Sequence, residues 1–205
     1  MIPMEGKNLN RKNMKKYKWI IISCIAIIAL AGIIEYSMGR LPLGPDRRFG
    51  WWDGNIYGSE NSQRVFDAYS LTHVIHGFGF YLLLWLVARR LPFKYRFVAA
   101  VLLEAAWEVF ENSPFIINRY RAETVNFGYT GDSILNSLCD VVMMCLGFWA
   151  AYKFKVWQSI LTIIGIEVFL LLWVRDNLTL NIIMLIHPLD FIKNWQAQIA
   201  PSSFK

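Results

Sequence analysis

The sequence predicts an all-α, polytopic transmembrane helix bundle of about five spans. Its 205 residues are 56% hydrophobic and only 18% charged, whereas soluble domains hold roughly 25% charged residues. The hydrophobic residues form runs about as long as a bilayer is thick, and basic residues border these runs. This pattern excludes a disordered chain and a small disulfide-stabilised scaffold. It predicts a single integral membrane domain, residues 1–205.

Five apolar segments are long enough to cross a bilayer as helices. The first, Trp19 to Ile34, follows a basic tail at residues 1–18. Ala29-Leu30-Ala31 resembles a signal-peptide cleavage site, but the length of this uncharged run favours an uncleaved anchor. The second segment ends at a basic turn with a proline. The predicted spans are about 19–38, 69–88, 97–112, 132–152 and 156–174.

The distribution of Lys and Arg predicts how the chain is oriented in the membrane. Segments 1–18, 89–96 and 153–155 hold 12 basic residues in 29 positions, and the three segments on the other side hold 9 in 80. Because cytoplasmic loops are enriched in basic residues, we expect the N-terminus inside and the C-terminus outside. The net charge of +6 follows from this bias, so the lipid bilayer is the predicted partner and nucleic acid is not.

Two outer segments are expected at the membrane surface. Residues 40–68 are rich in Gly, Pro and Trp and predict an ordered loop at the interface. In the outer-face tail, residues 175–205, Leu178 to His187 is too short to span and is followed by Pro188. The tail therefore predicts an interfacial helical segment.

Polar and ionisable side chains recur at helical spacing in three of the spans, and a fourth span carries a single acid. Charged groups within a bilayer are costly, so they normally face the bundle interior and mark function. With about 1.5 Å rise per residue, Glu104, Asp140 and Glu167 would all lie roughly 12 Å below the outer surface. We therefore expect one polar pocket in the outer half. The spaced groups are His73 and His76; Glu104, Glu108 and Glu111; Asp132, Asn136 and Asp140; and Glu167.

Two kinds of chemistry suit such a pocket. Imidazoles with carboxylates are ligands for zinc, iron or manganese. The sequence contains no H-E-x-x-H motif, which would have favoured zinc. Without a metal, carboxyl groups beside an imidazole would act directly as acid and base. The candidate metal ligands are His73, His76, Glu108, Glu111 and Asp132. The candidate catalytic residues are Glu104, Glu108, His76 and Asp140.

The sequence also predicts residues that bind a headgroup and two glycines that allow helices to pack closely. Arg119 and Arg121, in the predicted loop before span four, would bind a phosphate or carboxylate headgroup together with Asn136; the alternative is a carboxylate-paired brace. Gly77 and Gly79 would allow close approach of helices. A purely structural role for the whole polar set, joining helices by hydrogen bonds, is the remaining alternative.

Several stretches resemble an uncharacterised family of bacterial inner-membrane proteins, a domain of unknown function. They are SLTHVIHGFGFY from Ser70, WEVFENSPFIINRYR from Trp107, GYTGDSILNSLCD from Gly128 and RDNLTLNIIMLIHP from Arg175. The resemblance implies a multi-pass protein of the bacterial inner membrane. It adds Arg175 to the candidate substrate-binding residues and implies that Asp176, Asn177 and Asn181 are further polar groups near the outer pocket. A weaker similarity, confined to the Gly131 to Asp140 stretch, is to VanZ-type membrane proteins.

These expectations leave three functions open. The first is an enzyme that acts on a lipid or lipid-linked envelope substrate, with a divalent metal as its cofactor. The second is a carrier or channel for a proton, a metal ion or a small solute, although no inverted repeat or pair of broken helices supports it. The third is a non-catalytic assembly partner for another membrane protein. The sequence does not predict an oligomeric state.

Overall fold

The computed structural model describes residues 5–124 and 128–198, with side chains from residue 18 onward. All regular elements among these residues are α-helices, as expected, apart from one isolated bridge between Trp52 and Phe66. Part of the predicted basic tail and residues 199–205 of the outer tail lie outside this description. The helices are α1 (Glu5–Ser37), α2 (Ser70–Ala88), α3 (Phe93–Glu111), α4 (Pro114–Glu123), α5 (Ile134–Lys153), α6 (Val156–Val174), α7 (Leu178–Ile186) and α8 (Asp190–Ala197).

Four described helical segments are long and apolar enough to cross a membrane. They are Lys18–Ser37, Ser70–Ala88, Ile134–Lys153 and Val156–Val174. Helix α3 has the same length as α2 but carries two basic and three acidic residues, which lower its hydropathy. It packs against α1, α2 and α5 and buries Glu104 and Glu108 inside the bundle. With α3 included, the fold agrees with the prediction of about five spans.

Polar caps set several helix boundaries that differ from those predicted. The Ser113 hydroxyl accepts from the Ile116 amide at 3.4 Å, and Pro114 occupies the first turn, so α4 replaces the predicted loop around Arg119. The Ser133 hydroxyl accepts from the Asn136 amide at 3.2 Å and starts α5 at residue 134. Asp132 therefore precedes the helix and does not extend its polar stripe. Helix α1 also begins earlier than expected, within the basic tail.

The helix directions bring the polar segments of α2, α3 and α5 to one end of the bundle. The rings of Tyr81 and Phe148 lie 5.3 Å apart, consistent with parallel α2 and α5. The rings of Phe93 and Tyr152 lie 4.3 Å apart, so α3 runs antiparallel to α5. Beyond the polar end, an apolar core fills the bundle. It consists of Leu84, Ala100, Val101, Val141, Met144 and Phe148.

The contact between α2 and α5 is close enough to require glycine on both helices. A Cβ atom at Gly77 would lie 2.2 Å from the Met144 carbonyl oxygen, and one at Gly147 would lie 2.0 Å from the Val74 carbonyl oxygen. Gly77 therefore has the predicted role. The prediction for Gly79 is wrong, because a Cβ there has no described atom within 4 Å.

The loop between α1 and α2 covers the polar end of the bundle. Its Leu41 carbonyl accepts from the Ile134 amide at 2.9 Å, and its Ser62 carbonyl accepts from the Ser133 amide at 2.9 Å. These bonds satisfy amides at the start of α5 that have no partner within the helix. The loop is therefore ordered, as expected, and it closes one side of the polar region.

Candidate functional site

A polar pocket lies at the end of the bundle where the helices carry their ionisable groups. It encloses about 760 Å³, counting space that is open to the outside. Loop residues and α7 contribute walls as well as α2, α3 and α5. The predicted site residues that line it are His73, His76, Glu111, Asp132, Asn136 and Asp140.

Glu104 holds both histidines of α2 through the same ring nitrogen. Its Oε1 lies 2.6 Å from His73 Nδ1, and His76 Nδ1 lies 3.1 Å from each of its carboxylate oxygens. The Glu104 side chain is fully buried and lies behind the histidines. Spacing explains the arrangement, because His73 and His76 are three residues apart and share one helix face. One carboxylate therefore fixes the positions of two imidazoles.

Two further carboxyl groups beside this trio are buried and incompletely paired. Glu108 Oε1 lies 3.2 Å from His73 Nδ1, but that nitrogen bonds Glu104, and neither oxygen of Glu108 has a hydrogen-bond partner among the described residues. Asp140 Oδ2 lies 3.8 Å from His73 Nε2, and Oδ1 has no partner in the described chain. Buried carboxyl oxygens without partners are costly, so this end of the pocket has unused capacity to bind a cation or a donor.

Two groups of these side chains have ligand atoms close enough to hold a metal ion. One comprises His73, His76 and Glu104, and the other comprises His73, Glu108 and Glu111. In each group the ligand atoms lie within 4.8 Å of one another. His73 is common to both. Asp132, the fifth predicted ligand, lies apart from them and bonds other residues.

Three tyrosines each donate to a carboxylate that lines the pocket. Tyr69 donates to Asp176 at 3.0 Å, Tyr120 to Glu111 at 3.1 Å and Tyr129 to Asp132 at 2.9 Å. Burial raises the pKa of all three hydroxyls well above the ordinary value, so they remain protonated donors. Tyrosine hydroxyls therefore orient the acidic side of the pocket.

Asp132 and Asn136 connect the pocket to neighbouring segments. The Asn112 side chain accepts from the Asp132 amide at 2.7 Å and donates to the Asp132 carboxylate at 3.0 Å. The Asn136 amide group donates to the Arg64 carbonyl in the covering loop at 2.9 Å. These bonds position both residues in the wall, and they leave Asp132 without contact to the histidines.

Asp176 is a further carboxyl group in the wall, from the turn after α6. Burial raises its pKa to about 6, although hydrogen bonds from the Tyr69 hydroxyl, the Asn177 amide and the Gln196 side chain lower it. Arg175 precedes it with a left-handed φ of 54° and ends α6. Asp176 is therefore mainly ionised at neutral pH and gains a proton below about pH 6.

Besides the buried Glu104 and Glu108, four predicted residues lie outside the pocket wall. Arg119 donates to the Leu185 carbonyl at 3.0 Å and pairs with Glu123 at 3.4 Å. Arg121 donates to the Tyr129 carbonyl. Arg175 donates to the Trp195 carbonyl at 3.0 Å. These three arginines therefore link neighbouring segments of the chain.

Glu167 is the fourth, and the expectation that it shares the pocket with Glu104 and Asp140 is wrong. Its carboxylate accepts from the Leu178 amide at 3.0 Å and from the Thr179 amide at 3.2 Å. It thereby caps the first turn of α7. The sequence predicted its depth in the membrane but not which side of α6 carries it, and that side faces the start of α7.

Sequence reasoning missed two buried acids near the pocket. Asp67 lies in the covering loop and lines the pocket; its Oδ1 accepts from the Tyr69 and Ser70 amides at 2.7 and 3.0 Å. Glu35 ends the first span and is fully buried, with neither oxygen hydrogen-bonded within the described residues. An acid at the end of an apolar run was a usable signal for Glu35, whereas no local pattern marks Asp67.

Comparison with known proteins identifies similar chains in bacteria. The family described as "Protein of unknown function (DUF2585)" matches residues 35–198. A UPF0314 protein of Agrobacterium fabrum is 43% identical over 193 residues, which cover 94% of this chain and 97% of that protein. A UPF0314 protein of Paracoccus denitrificans is 44% identical over 173 residues, covering 84% and 90%. No solved structure is significantly similar to the chain, and these matches give no support to the VanZ resemblance.

Proposed function

The chain belongs to the DUF2585 family and is similar to bacterial UPF0314 proteins, and from this premise we propose that it is a metal-dependent enzyme acting on a lipid or lipid-linked substrate. The family description names no reaction, so the proposal rests on the chain's own residues. The observation that carries it is the contact of one buried carboxylate, Glu104, with the Nδ1 atoms of both His73 and His76.

The contact with Glu104 prepares both histidines for metal binding. An ionised carboxylate only accepts hydrogen bonds, so each Nδ1 carries the hydrogen and each neutral ring keeps a lone pair on Nε2. Histidine ligands of metal ions characteristically donate their other N–H to a carboxylate in this way. His73 and His76 would then supply two nitrogen ligands, and Asp140 or Glu111 in the wall would supply an oxygen ligand.

The unpaired carboxyl oxygens also favour a bound cation. Glu108 and Asp140 lie next to His73 in a region where an uncompensated negative charge is unfavourable. A divalent ion such as zinc, iron or manganese would offset that charge. It would supply a water molecule acidic enough to act as a nucleophile near neutral pH, and of Asp140 and Glu111 the one that does not bind the ion would be the base that faces the pocket.

The lipid substrate is inferred from where the pocket lies, and the transport alternative has less support. The pocket forms at one end of helices that are apolar enough to span a bilayer, so its substrates would reach it from the membrane or its surface. A carrier needs a continuation to the other side. The apolar cluster around Met144 and Phe148 fills the bundle beyond the pocket, and a packed apolar core opposes the passage of an ion.

Metal analysis of the purified protein tests the proposal. We expect about one equivalent of a transition metal in detergent-purified wild type and a loss of most of it in His76→Ala, because one of the two nitrogen ligands is removed. His187→Ala is the matched control, since His187 ends α7 and does not line the pocket. Wild type without metal after growth in zinc, iron and manganese would contradict the metal-dependent function, as would equal metal in the two histidine variants.

We further propose that the protein is a multi-pass protein of the bacterial inner membrane with the pocket toward the periplasm. This orientation follows from the excess of basic residues in the predicted cytoplasmic segments. Fused after Lys205, a reporter that works only in the periplasm should be active, and a reporter that works only in the cytoplasm should be inactive. A cytoplasmic signal would reverse the orientation and place the pocket on the inner side.

A further inference from the structure

A second, apolar depression lies on the outside of the bundle, next to the polar pocket. It is formed where α6 packs against α2 and α5, and we name it the lateral groove. Two polar residues, Asp67 and Ser70, belong to its lining, and its apolar walls are Trp52, Phe66, Leu71, Met143, Phe169 and Trp173. The groove encloses about 620 Å³, counting open space, and its accessible surface is apolar.

The lateral groove faces the region that hydrocarbon occupies around a membrane protein. Its outer wall belongs to α6, which is among the segments that are long and apolar enough to span. The Phe169 side chain is 52% exposed, and the indole of Trp173 stacks on Trp52 at 5.7 Å. Stacked indoles at the edge of a span are typical of the membrane interface. The groove is therefore continuous with the lipid-facing surface.

Asp67 joins the lateral groove to the polar pocket. It is the one residue that lines both cavities, as the structure describes them. Its Oδ1 accepts from the Tyr69 and Ser70 amides, whereas its Oδ2 is buried without a hydrogen-bond partner among the described residues. Asp67 thus lies at the boundary of the two cavities with one buried carboxyl oxygen that has no donor among the described residues, and the histidines line the polar pocket on the other side.

We propose that the lateral groove holds the acyl chain of a bilayer lipid whose headgroup enters the polar pocket past Asp67. This inference rests on the proposed function and specifies its substrate class as an amphiphile, with a hydroxyl or ammonium donor that bonds Asp67 Oδ2. A lipid tail enters the groove from hydrocarbon and not from water, so the transfer of its methylene groups contributes little to binding. The groove therefore selects by shape, and the polar contact at Asp67 retains the molecule.

Photochemical crosslinking in nanodiscs tests the occupant. The probe is phosphatidylethanolamine with a diazirine on its acyl chain, and crosslinked peptides are quantified by mass spectrometry. We expect peptides bearing Leu71 and Met143 to be labelled several-fold more than the exposed face of α1. Met143→Trp, which fills the groove, should reduce that labelling several-fold. Leu172→Trp is the matched control on α6, because Leu172 is 80% exposed and outside the groove.

A second variant protects the test from a folding failure. Phe169→Ala removes an exposed wall without inserting bulk, and we expect it to reduce labelling of the groove peptides as well. Labelling equal to that of α1, or unaffected by Phe169→Ala and by a folded Met143→Trp, would overturn the inference. Metal analysis of the same samples separates the two proposals. Bound metal without labelling of the groove would overturn the lipid-binding groove and leave the metal-dependent function. Labelling of the groove without bound metal would overturn the metal-dependent function and leave the lipid-binding groove.

Discussion

Glu104→Gln should weaken zinc binding by about 100-fold, the upper end of the effect seen when a partner of a metal-bound histidine is removed. Glu104 contacts two histidines, so its loss affects both nitrogen ligands at once. A glutamine also presents an N–H₂ group, which opposes the hydrogen on one of the two Nδ1 atoms. The ring that loses its acceptor would turn or change tautomer, and its Nε2 would no longer face the metal.

Zinc titration against a chelating dye measures the effect in purified protein. Glu167→Gln is the matched control, because Glu167 is also a carboxylate of a spanning helix but caps α7. We expect wild-type affinity in that control. Wild-type affinity in Glu104→Gln would show that Glu104 does not orient the ligands, and an equal loss in both variants would point to a general effect of removing a buried charge.

The comparison of these two glutamates shows what helical spacing predicts about the site. Spacing and hydropathy predict that the histidines of α2 and the glutamates of α3 lie at one end of the bundle, and the structure brings His73, His76, Glu104 and Glu108 into contact. Rise per residue gives depth alone. It gives no rotation about the helix axis, and for this reason it did not predict that Glu167 contacts the start of α7.

Contacts between distant segments account for most of what the sequence did not predict. Asp67 enters the pocket wall because the loop between α1 and α2 bonds the start of α5, and no periodicity reports such a contact. The arginines of α4 were expected at a loop, although Ser113-Pro114 is a recognisable helix start. On that helix, Arg119 and Arg121 donate hydrogen bonds to the Leu185 and Tyr129 carbonyl groups. These bonds hold both arginines outside the pocket.

Hydropathy predicted the spans well because the bilayer imposes length and apolarity on them. Helix α3, which the sequence also predicts as a span, is not among the four described segments that are apolar enough to cross a membrane, because acids that serve the pocket interrupt it. In such a helix the site requires charged side chains, whereas the membrane favours apolar ones. Both conditions are met because Glu104 and Glu108 are buried inside the bundle and do not contact lipid.

Gly147→Ala, like Gly77→Ala, should be strongly destabilising for a small substitution in the bundle. The added Cβ would lie 2.0 Å from the carbonyl oxygen of Val74 and 2.8 Å from its carbonyl carbon. Both are backbone atoms, so no change of rotamer relieves the contact, and the helices must separate. Overpacking of this kind costs about 3 kcal/mol, which lowers the melting midpoint of a chain of this length by roughly 6–12 °C. Thermal unfolding in detergent, followed by size-exclusion chromatography, measures the shift.

Gly79→Ala is the control for Gly147→Ala, because a Cβ at that position of α2 has open space and alanine favours a helix by up to about 1 kcal/mol. We expect its midpoint at or above that of wild type. Equal midpoints for wild type and Gly147→Ala would contradict the close contact between α2 and α5. The same contact holds His73 near Asp140, which lie on these two helices 3.8 Å apart. A Gly147→Ala protein that remains folded at low temperature should therefore also bind metal more weakly, whereas Gly79→Ala should not.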